Sequence, residues 1–214
     1  MIISRVMTKN PFFIHPEMPI NEARSFMQKE KIGHLPVLDR NDAIVGIVTR
    51  KDLLKAGPSA ATSLDMYEIS YLLSKMTARD VMGKAVVTIK EDDVVEEAAR
   101  IMADNRIGCL PVLRAKYLAG IITETDLFHF FLSAFGGRHG GVRLTCSLQE
   151  KPGQIARLTQ SIAEKGGNLI ALVTSEGDDP SMRRITVKVT GISLEDVESA
   201  ARGLSGIEFE DIRK

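Results

Sequence analysis

The chain carries one pattern twice. Val6-Met7-Thr8 returns as Val81-Met82-Gly83, and Lys31-Ile32-Gly33-His34-Leu35-Pro36-Val37-Leu38 returns as Arg106-Ile107-Gly108-Cys109-Leu110-Pro111-Val112-Leu113, both 75 residues on. Gly46-Ile47-Val48-Thr49-Arg50-Lys51-Asp52-Leu53 then returns as Gly120-Ile121-Ile122-Thr123-Glu124-Thr125-Asp126-Leu127, at an offset of 74. The lost residue falls after Leu38, where Asp39-Arg40-Asn41-Asp42 spells a turn, and a tight surface turn tolerates a deletion most easily. Whatever the first copy folds into, the second must repeat.

Each copy reads as β-α-β-β-α. A helix opens at Pro19 and runs through Lys29 with Ala23, Phe26 and Met27 on one face. Its counterpart runs from about Asp93 to Asn105, with Val95, Ala98, Ala99 and Met102 inward. A glycine, a Pro-Val-Leu strand, a turn and an apolar Gly-Ile strand follow, and a second helix starts just after the threonine. One copy is too small to bury a core alone, so the two are expected to bury their sheets against each other.

The end of the second strand carries chemistry. Thr49 and Thr123 sit where a hydroxyl and nearby backbone N–H groups can meet an anion at a helix start. Asp52 and Asp126 follow inside the first helical turn, where a carboxylate can accept both hydroxyls of a ribose. The plainer reading is a pair of capping boxes, and the two readings are compatible. After Thr49 come Arg50 and Lys51, which suit phosphate, unless they are only a solvated helix start; after Thr123 come Glu124 and Thr125, which do not.

These segments, Gly46 to Asp52 and Gly120 to Asp126, together with the G-x-x-P-V segments at Gly33 and Gly108, resemble CBS domains, and the pair resembles a Bateman module over about residues 1–135. The resemblance implies an adenosine-type ligand (AMP, ADP, ATP, S-adenosylmethionine or NAD) in the cleft between the copies. It puts Asp52 and Asp126 on ribose, with Thr49 and Thr123 near ribose and phosphate. It frames the base with the first strands, Phe13-Ile14 and Val87-Thr88. It adds the backbone around His34, Leu35 and Pro36 and around Cys109, Leu110 and Pro111. The first site then groups Phe13 and Ile14 with Thr49 and is expected to favour a phosphorylated ligand. The second groups Val87 and Thr88 with Thr123 and is expected to take a neutral or cationic adenosyl compound, or none.

Residues 58–76 link the copies, with copy one at 1–57 and copy two at 77–135. Pro58 forbids helix continuation, and Ser63 is expected to cap a helix carrying Met66, Tyr67, Ile69, Leu72 and Leu73. This Y-E-I-S-Y-L-L-S-K linker resembles the acetoin-utilisation AcuB family.

A second boundary lies at 136–141, where four glycines in six residues read as a hinge. Residues 142–214 then read βαββαβ, a ferredoxin-like order. Glu150-Lys151-Pro152-Gly153-Gln154-Ile155 and Gly167-Asn168-Leu169-Ile170 resemble the two effector-site segments of ACT domains. That resemblance implies an amino-acid effector near Gly153, Gln154, Ile155, Asn168 and Leu169, often across a dimer interface. On the residues alone Pro152 is a first-turn helix proline and Gly167-Asn168 a helix C-terminus. The fold class is therefore α+β: a Bateman module of two CBS-type repeats, then an ACT domain.

Composition narrows the function. Lys plus Arg equal Asp plus Glu, 28 against 28, so no global field draws the chain to nucleic acid or an anionic membrane. No apolar run approaches a signal peptide or a membrane span, and Cys109 and Cys146 lack CxxC spacing; a cytoplasmic protein with reduced thiols is expected. His15, His34, His129 and His139 share no metal-ligand spacing, and no G-x-S-x-G or P-loop occurs. The expectation is a non-enzymatic, homodimeric regulator with no obligatory cofactor, which controls a partner enzyme; the AcuB resemblance implies acetoin metabolism. A constitutive scaffold with vestigial sites is the alternative.

Overall fold

The computed structural model describes residues 1–57 and 65–214, without the side chains of Met66, Ile69, Ser70 and Leu72. It divides into two compact units, Met1–Leu127 and Phe128–Lys214.

In the first unit, β1 (Thr8–Lys9) precedes α1 (Ile20–Lys29), the hairpin of β2 (His34–Leu38) and β3 (Ile44–Thr49), and α2 (Arg50–Lys55). Two linking helices, α3 (Met66–Lys75) and α4 (Ala78–Val81), lead to β4 (Ile89–Lys90), α5 (Val95–Asn105), β5 (Cys109–Arg114), β6 (Tyr117–Thr123) and α6 (Glu124–Ala134), whose residues from Phe128 on belong to the second unit. Both copies thus keep the β-α-β-β-α order. The one-residue slip is visible in the hairpins. In the first, the Asp39 carboxylate accepts the N–H groups of Asn41 (2.8 Å) and Ala43 (2.9 Å). In the second, Arg114 and Tyr117 pair directly around Ala115, whose φ is +54°.

The copies close on each other by exchanging their leading segments. Thr8 and Lys9 pair with Ile121 and Gly120 of the second copy. The repeat-related bridge joins Gly83 to Ile47 of the first, through N–H to O contacts of 3.0 and 2.9 Å. Ile2 bridges Val94, and Pro19 bridges Thr77, again as a related pair. The parallel pairing inside each copy is of the same extent: Ile14 with Val37 in one, Ile89 and Lys90 with Val112 and Leu113 in the other. Ala78, Leu73, Met76, Val81 and Met82, all leading into the second copy, complete the apolar core around α1 and β2. The exchange explains why Val-Met and Gly-Ile both repeat. A Cβ on Gly120 would meet Met7 Sδ and lie 2.9 Å from the Thr8 carbonyl oxygen, and one on Gly46 would meet Met82 Sδ. Each copy's methionine sits on the other copy's bare strand.

Helix α3 begins one residue past Asp65, whose carboxylate accepts the Glu68 N–H at 2.8 Å while Glu68 returns to the Asp65 N–H at 3.1 Å. Asp65 is therefore the cap. Ser63, to which the sequence pointed, lies outside the described residues, as does Pro58.

The second unit continues with β7 (Val142–Gln149), α7 (Gln154–Glu164), β8 (Asn168–Glu176), β9 (Met182–Thr190), α8 (Leu194–Arg202) and β10 (Ile207–Arg213). Its sheet order is β10-β7-β9-β8 with all neighbours antiparallel, the ferredoxin-like arrangement. Leu158 and Ile162 of α7 and Val197, Ala200 and Ala201 of α8 close one face of that sheet over Leu144, Cys146, Ile185 and Val187. Pro152 is not the first helical residue: Gly153, at φ +88°, is the N-cap of α7, so the proline stands ahead of the cap. Within this unit the glycine run forms hydrogen-bonded turns. The Gly137 N–H donates to the Leu132 carbonyl at 2.7 Å, and Lys188 Nζ to that of Gly136 at 2.9 Å.

Candidate functional site

Both strand-end threonines are locked into capping boxes. The Thr49 N–H and hydroxyl donate to Asp52 Oδ2 at 2.9 and 2.6 Å, and the Asp52 N–H donates to Thr49 Oγ1 at 3.3 Å. Thr123 and Asp126 repeat this at 2.8, 2.8 and 3.3 Å. The cap and a ligand therefore compete for only one carboxylate oxygen: among the described residues, Oδ1 of each aspartate enters no hydrogen bond and keeps its acceptor capacity.

Two clefts open between the copies. The first, about 540 Å³, is lined by Thr49, Arg50 and Lys51, by Ala85, Val86 and Val87, and by Arg106 to Cys109 with Pro111. The second, about 640 Å³, is lined by Thr123 to Asp126, by Thr8 to Phe12, and by Lys31 and Ile32. Gly33, His34, Arg50 and Gly108 line both.

The grouping expected from the sequence is thus crossed. Val87 sits with Thr49, not with Thr123, and Cys109 and Pro111 also belong to the first cleft. The physical reason is the segment exchange, which carries each copy's leading strand onto the other copy's sheet. Phe13, Ile14 and Thr88 line neither cleft. Ile14 is buried in the first core, where its N–H donates to Pro36 O at 3.0 Å and its carbonyl accepts from Leu38 at 2.9 Å. The exposed Phe13 ring stacks edge-on against His15. Leu35 and Leu110 are fully buried core residues, and Pro36 is buried in β2. Asp126 lines the second cleft; Asp52 lines neither, although it lies beneath Thr49.

Several cleft residues lay outside the sequence expectation, and two of them share a backbone feature. Lys31 (φ +55°) and Arg106 (φ +54°) end α1 and α5 in left-handed conformations and line the second and first clefts respectively. Such backbone costs a non-glycine residue of order 1 kcal/mol and is a common way to end a helix. Their signal was present: a basic residue stands two places before the glycine in both K-I-G and R-I-G.

Charge separates the clefts. Arg50, Lys51 and Arg106 line the first, with no carboxylate among its lining residues. In the second, Lys9, Lys31 and Arg50 face Glu124 and Asp126. Helix α2 has six residues, and the N–H groups of Thr49 and Asp52 are used by the cap, so attraction for an anion in the first cleft comes from its side chains.

His34 is held below the ordinary histidine pKa, first by burial; Glu124 pulls it up, Arg50 pushes it down and Asp52 pulls it up. Since the unfolded chain then binds the proton more readily, stability is intact above the unfolded value near 6.5 and is lost as pH falls toward the folded one. Melting temperatures between pH 7.5 and 5.5 are expected to fall, and to fall less in His34→Gln. Equal pH slopes in the two proteins would remove His34 from this role. Burial raises the Cys109 thiol to about 12, with help from Glu124, and that of Cys146 to about 11, with help from Glu210. Both are protonated, unreactive thiols at neutral pH. Among the described residues no cluster of three or more His, Cys, Asp and Glu side chains could hold a metal, and no helix is long and apolar enough to cross a membrane.

The second unit has a pocket of about 260 Å³ between the end of β7, the start of α7 and β9. Gln154 and Ile155 line it, as do Lys151 and the ion-paired Glu150 and Arg183. Asn168 and Leu169 do not. They begin β8, six residues from the pocket's Thr174 and thus about 20 Å along the strand. Gly153 caps α7 beside the pocket without lining it.

A family model described as "CBS domain" matches residues 3–59 and 78–133, together more than half of the chain. The chain belongs to the CBS-domain family. A "TTHA0829-like ACT domain" model matches residues 140–213, so the CBS pair is followed by an ACT domain. Among solved structures, a CBS domain pair in complex with 5′-methylthioadenosine and S-adenosyl-L-methionine is 28% identical. Its TM-score is 0.52, over 65% of this chain and 98% of that one. A protein assigned to acetoin utilization, AcuB of Vibrio cholerae, is 28% identical at TM-score 0.53, over 65% and 98%. The protein CBSX2 in complex with AMP is 27% identical at TM-score 0.51, over 61% and 96%. One curated relative, the L-aspartate semialdehyde sulfurtransferase of Methanocaldococcus jannaschii, is 28% identical over 131 residues, 61% of this chain and 23% of the relative. The chain spans only about a quarter of that relative's length, so the likeness lies in the CBS pair's size range and not in a whole enzyme.

Proposed function

We propose that this CBS–ACT protein is a non-enzymatic regulator that senses an adenosine-type ligand. The first cleft takes a phosphorylated one such as AMP, ADP or ATP. The observation that supports this most is the trio Arg50, Lys51 and Arg106 around a cleft without a carboxylate. A nucleotide monophosphate fits its volume and charge, and related CBS pairs are solved with AMP and with S-adenosylmethionine. The mixed charge of the second cleft suits an adenosyl ligand that is neutral or cationic, S-adenosylmethionine or 5′-methylthioadenosine among them. NAD, which carries two phosphates, belongs with the first.

Ligand in the first cleft touches both copies at once, Thr49 from one and Val87 and Arg106 from the other. Its binding free energy can therefore favour one arrangement of the copies over another, the requirement for regulation. A partner enzyme reads that arrangement; the AcuB likeness suggests acetoin metabolism. An amino acid at the Glu150–Arg183 pocket of the ACT domain is a second input, with Asn168 and Leu169 reaching it only from another copy. The exposed stripe Phe128, Leu132 and Phe135 supports a homodimer. One observation favours the scaffold reading: both capping boxes are complete without ligand.

Titration calorimetry with AMP, ADP, ATP, S-adenosylmethionine, 5′-methylthioadenosine and NAD decides between them. The sensor reading expects saturable binding of at least one compound, weakened by Asp52→Ala. Silence from all of them leaves the scaffold, with Asp52→Ala then costing only the stability of its capping box.

A further inference from the structure

Arg50 stands where the two clefts meet and lines both. Its Nε donates to the Ile32 carbonyl at 3.0 Å and its backbone N–H to that of Gly33 at 3.1 Å, so stem and head are both fixed to the approach of β2. The repeat-related residue is Glu124. Its N–H donates to the Gly108 carbonyl at 3.1 Å, its carboxylate packs beside Gly108, and it lines the second cleft alone. The wall between the clefts therefore carries one cation from the first copy and one anion from the second.

We propose that Arg50 couples the two clefts, so that a phosphate-bearing ligand in the first turns the second against anions and toward a cationic adenosyl ligand. The inference rests on the first cleft being a nucleotide site and adds a rule for how occupancy of one sets the preference of the other. Before ligand binds, Lys9, Lys31 and Arg50 outnumber Glu124 and Asp126 in the second cleft. A phosphate held by Arg50 in the first cleft cancels that positive charge at the shared wall. The balance then tips toward Glu124 and Asp126, and a sulfonium or ammonium group is favoured where a second phosphate is repelled. Linkage makes the effect reciprocal: the cationic ligand tightens nucleotide binding by the same factor. Arg50 is exposed to water, which keeps the effect moderate and sensitive to salt.

The test is calorimetry on the full chain, with S-adenosylmethionine titrated into the protein alone and into the protein saturated with AMP. AMP is expected to tighten S-adenosylmethionine about three- to tenfold, and any second equivalent of AMP to bind weaker than the first by a similar factor. Arg50→Gln should bring both ratios to within about twofold of one, and 0.5 M salt should shrink them in the wild type. Binding of both ligands with ratios of one, persistence of the ratios in Arg50→Gln, or ligand in one cleft alone would each overturn the coupling while the nucleotide reading stands. Failure of every ligand to bind would sink both.

Discussion

Alanine in place of Gly141 is expected to destabilise the ACT domain by about 3–5 kcal/mol, a large share of the roughly 5–15 kcal/mol that holds a domain folded. Gly141 sits at φ +137°, a backbone region that side chains rarely enter. A Cβ there would run into the carbonyl oxygen of Val189 and lie 3.0 Å from Thr190 Cγ2. Neither neighbour can yield easily: Val189 pairs with Val142, and β7 lies between β9 and β10 in the sheet. Gly140 is the control. Nothing lies within 4 Å of a Cβ there, so Gly140→Ala is expected to change stability by less than about 0.5 kcal/mol. Chemical denaturation of the pair checks this, and equal midpoints for the two variants would show that the glycine run is not packed as described.

Reversing the charge of Arg106 has the largest expected effect on binding. Arg106→Glu removes one of three basic groups from the first cleft and puts a carboxylate against the ligand phosphate. The loss of a charge-assisted hydrogen bond plus the new repulsion is expected to cost about 3 kcal/mol, roughly a hundredfold in AMP affinity. Arg106→Gly separates binding from folding. It removes the same cation and relieves the left-handed backbone, so the variant is expected to bind AMP about tenfold more weakly while melting higher, by about 1 kcal/mol in stability. Wild-type AMP affinity in Arg106→Glu would place the phosphate elsewhere.

Much of this was legible in the sequence because the repeat itself is physical information. Two helices, two hairpins and two strand-end threonines at fixed offsets gave the β-α-β-β-α order, and the alternation after the glycine run gave βαββαβ. The composition of each cleft was not legible. Local pattern places Val87 and Phe13 at the first strand of their own copies. It carries no sign that Thr8 pairs with Ile121, or Gly83 with Ile47. That choice belongs to tertiary packing, above all to Met7 and Met82 seated on Gly120 and Gly46. The CBS resemblance implied that the backbone at Leu35 and Leu110, and the first-strand residue Ile14, frame the base; the side chains of all three are buried in the core. Lys31 and Arg106 went unread because a left-handed lysine or arginine has no sequence signature beyond the position two before a glycine. Asp65 was passed over for Ser63 because both are good caps, and only Asp65 has Glu68 three residues on to complete a capping box.

Central to the proposed function is an adenosine phosphate held in the first cleft, which is assembled from both copies. A crystal structure of the full chain grown with AMP tests it most directly. The claim predicts AMP in the first cleft, with its phosphate within hydrogen-bonding distance of Arg106 and of Arg50 or Lys51. Clefts left empty at saturating AMP, or AMP confined to the second cleft beside Glu124 and Asp126, would contradict it.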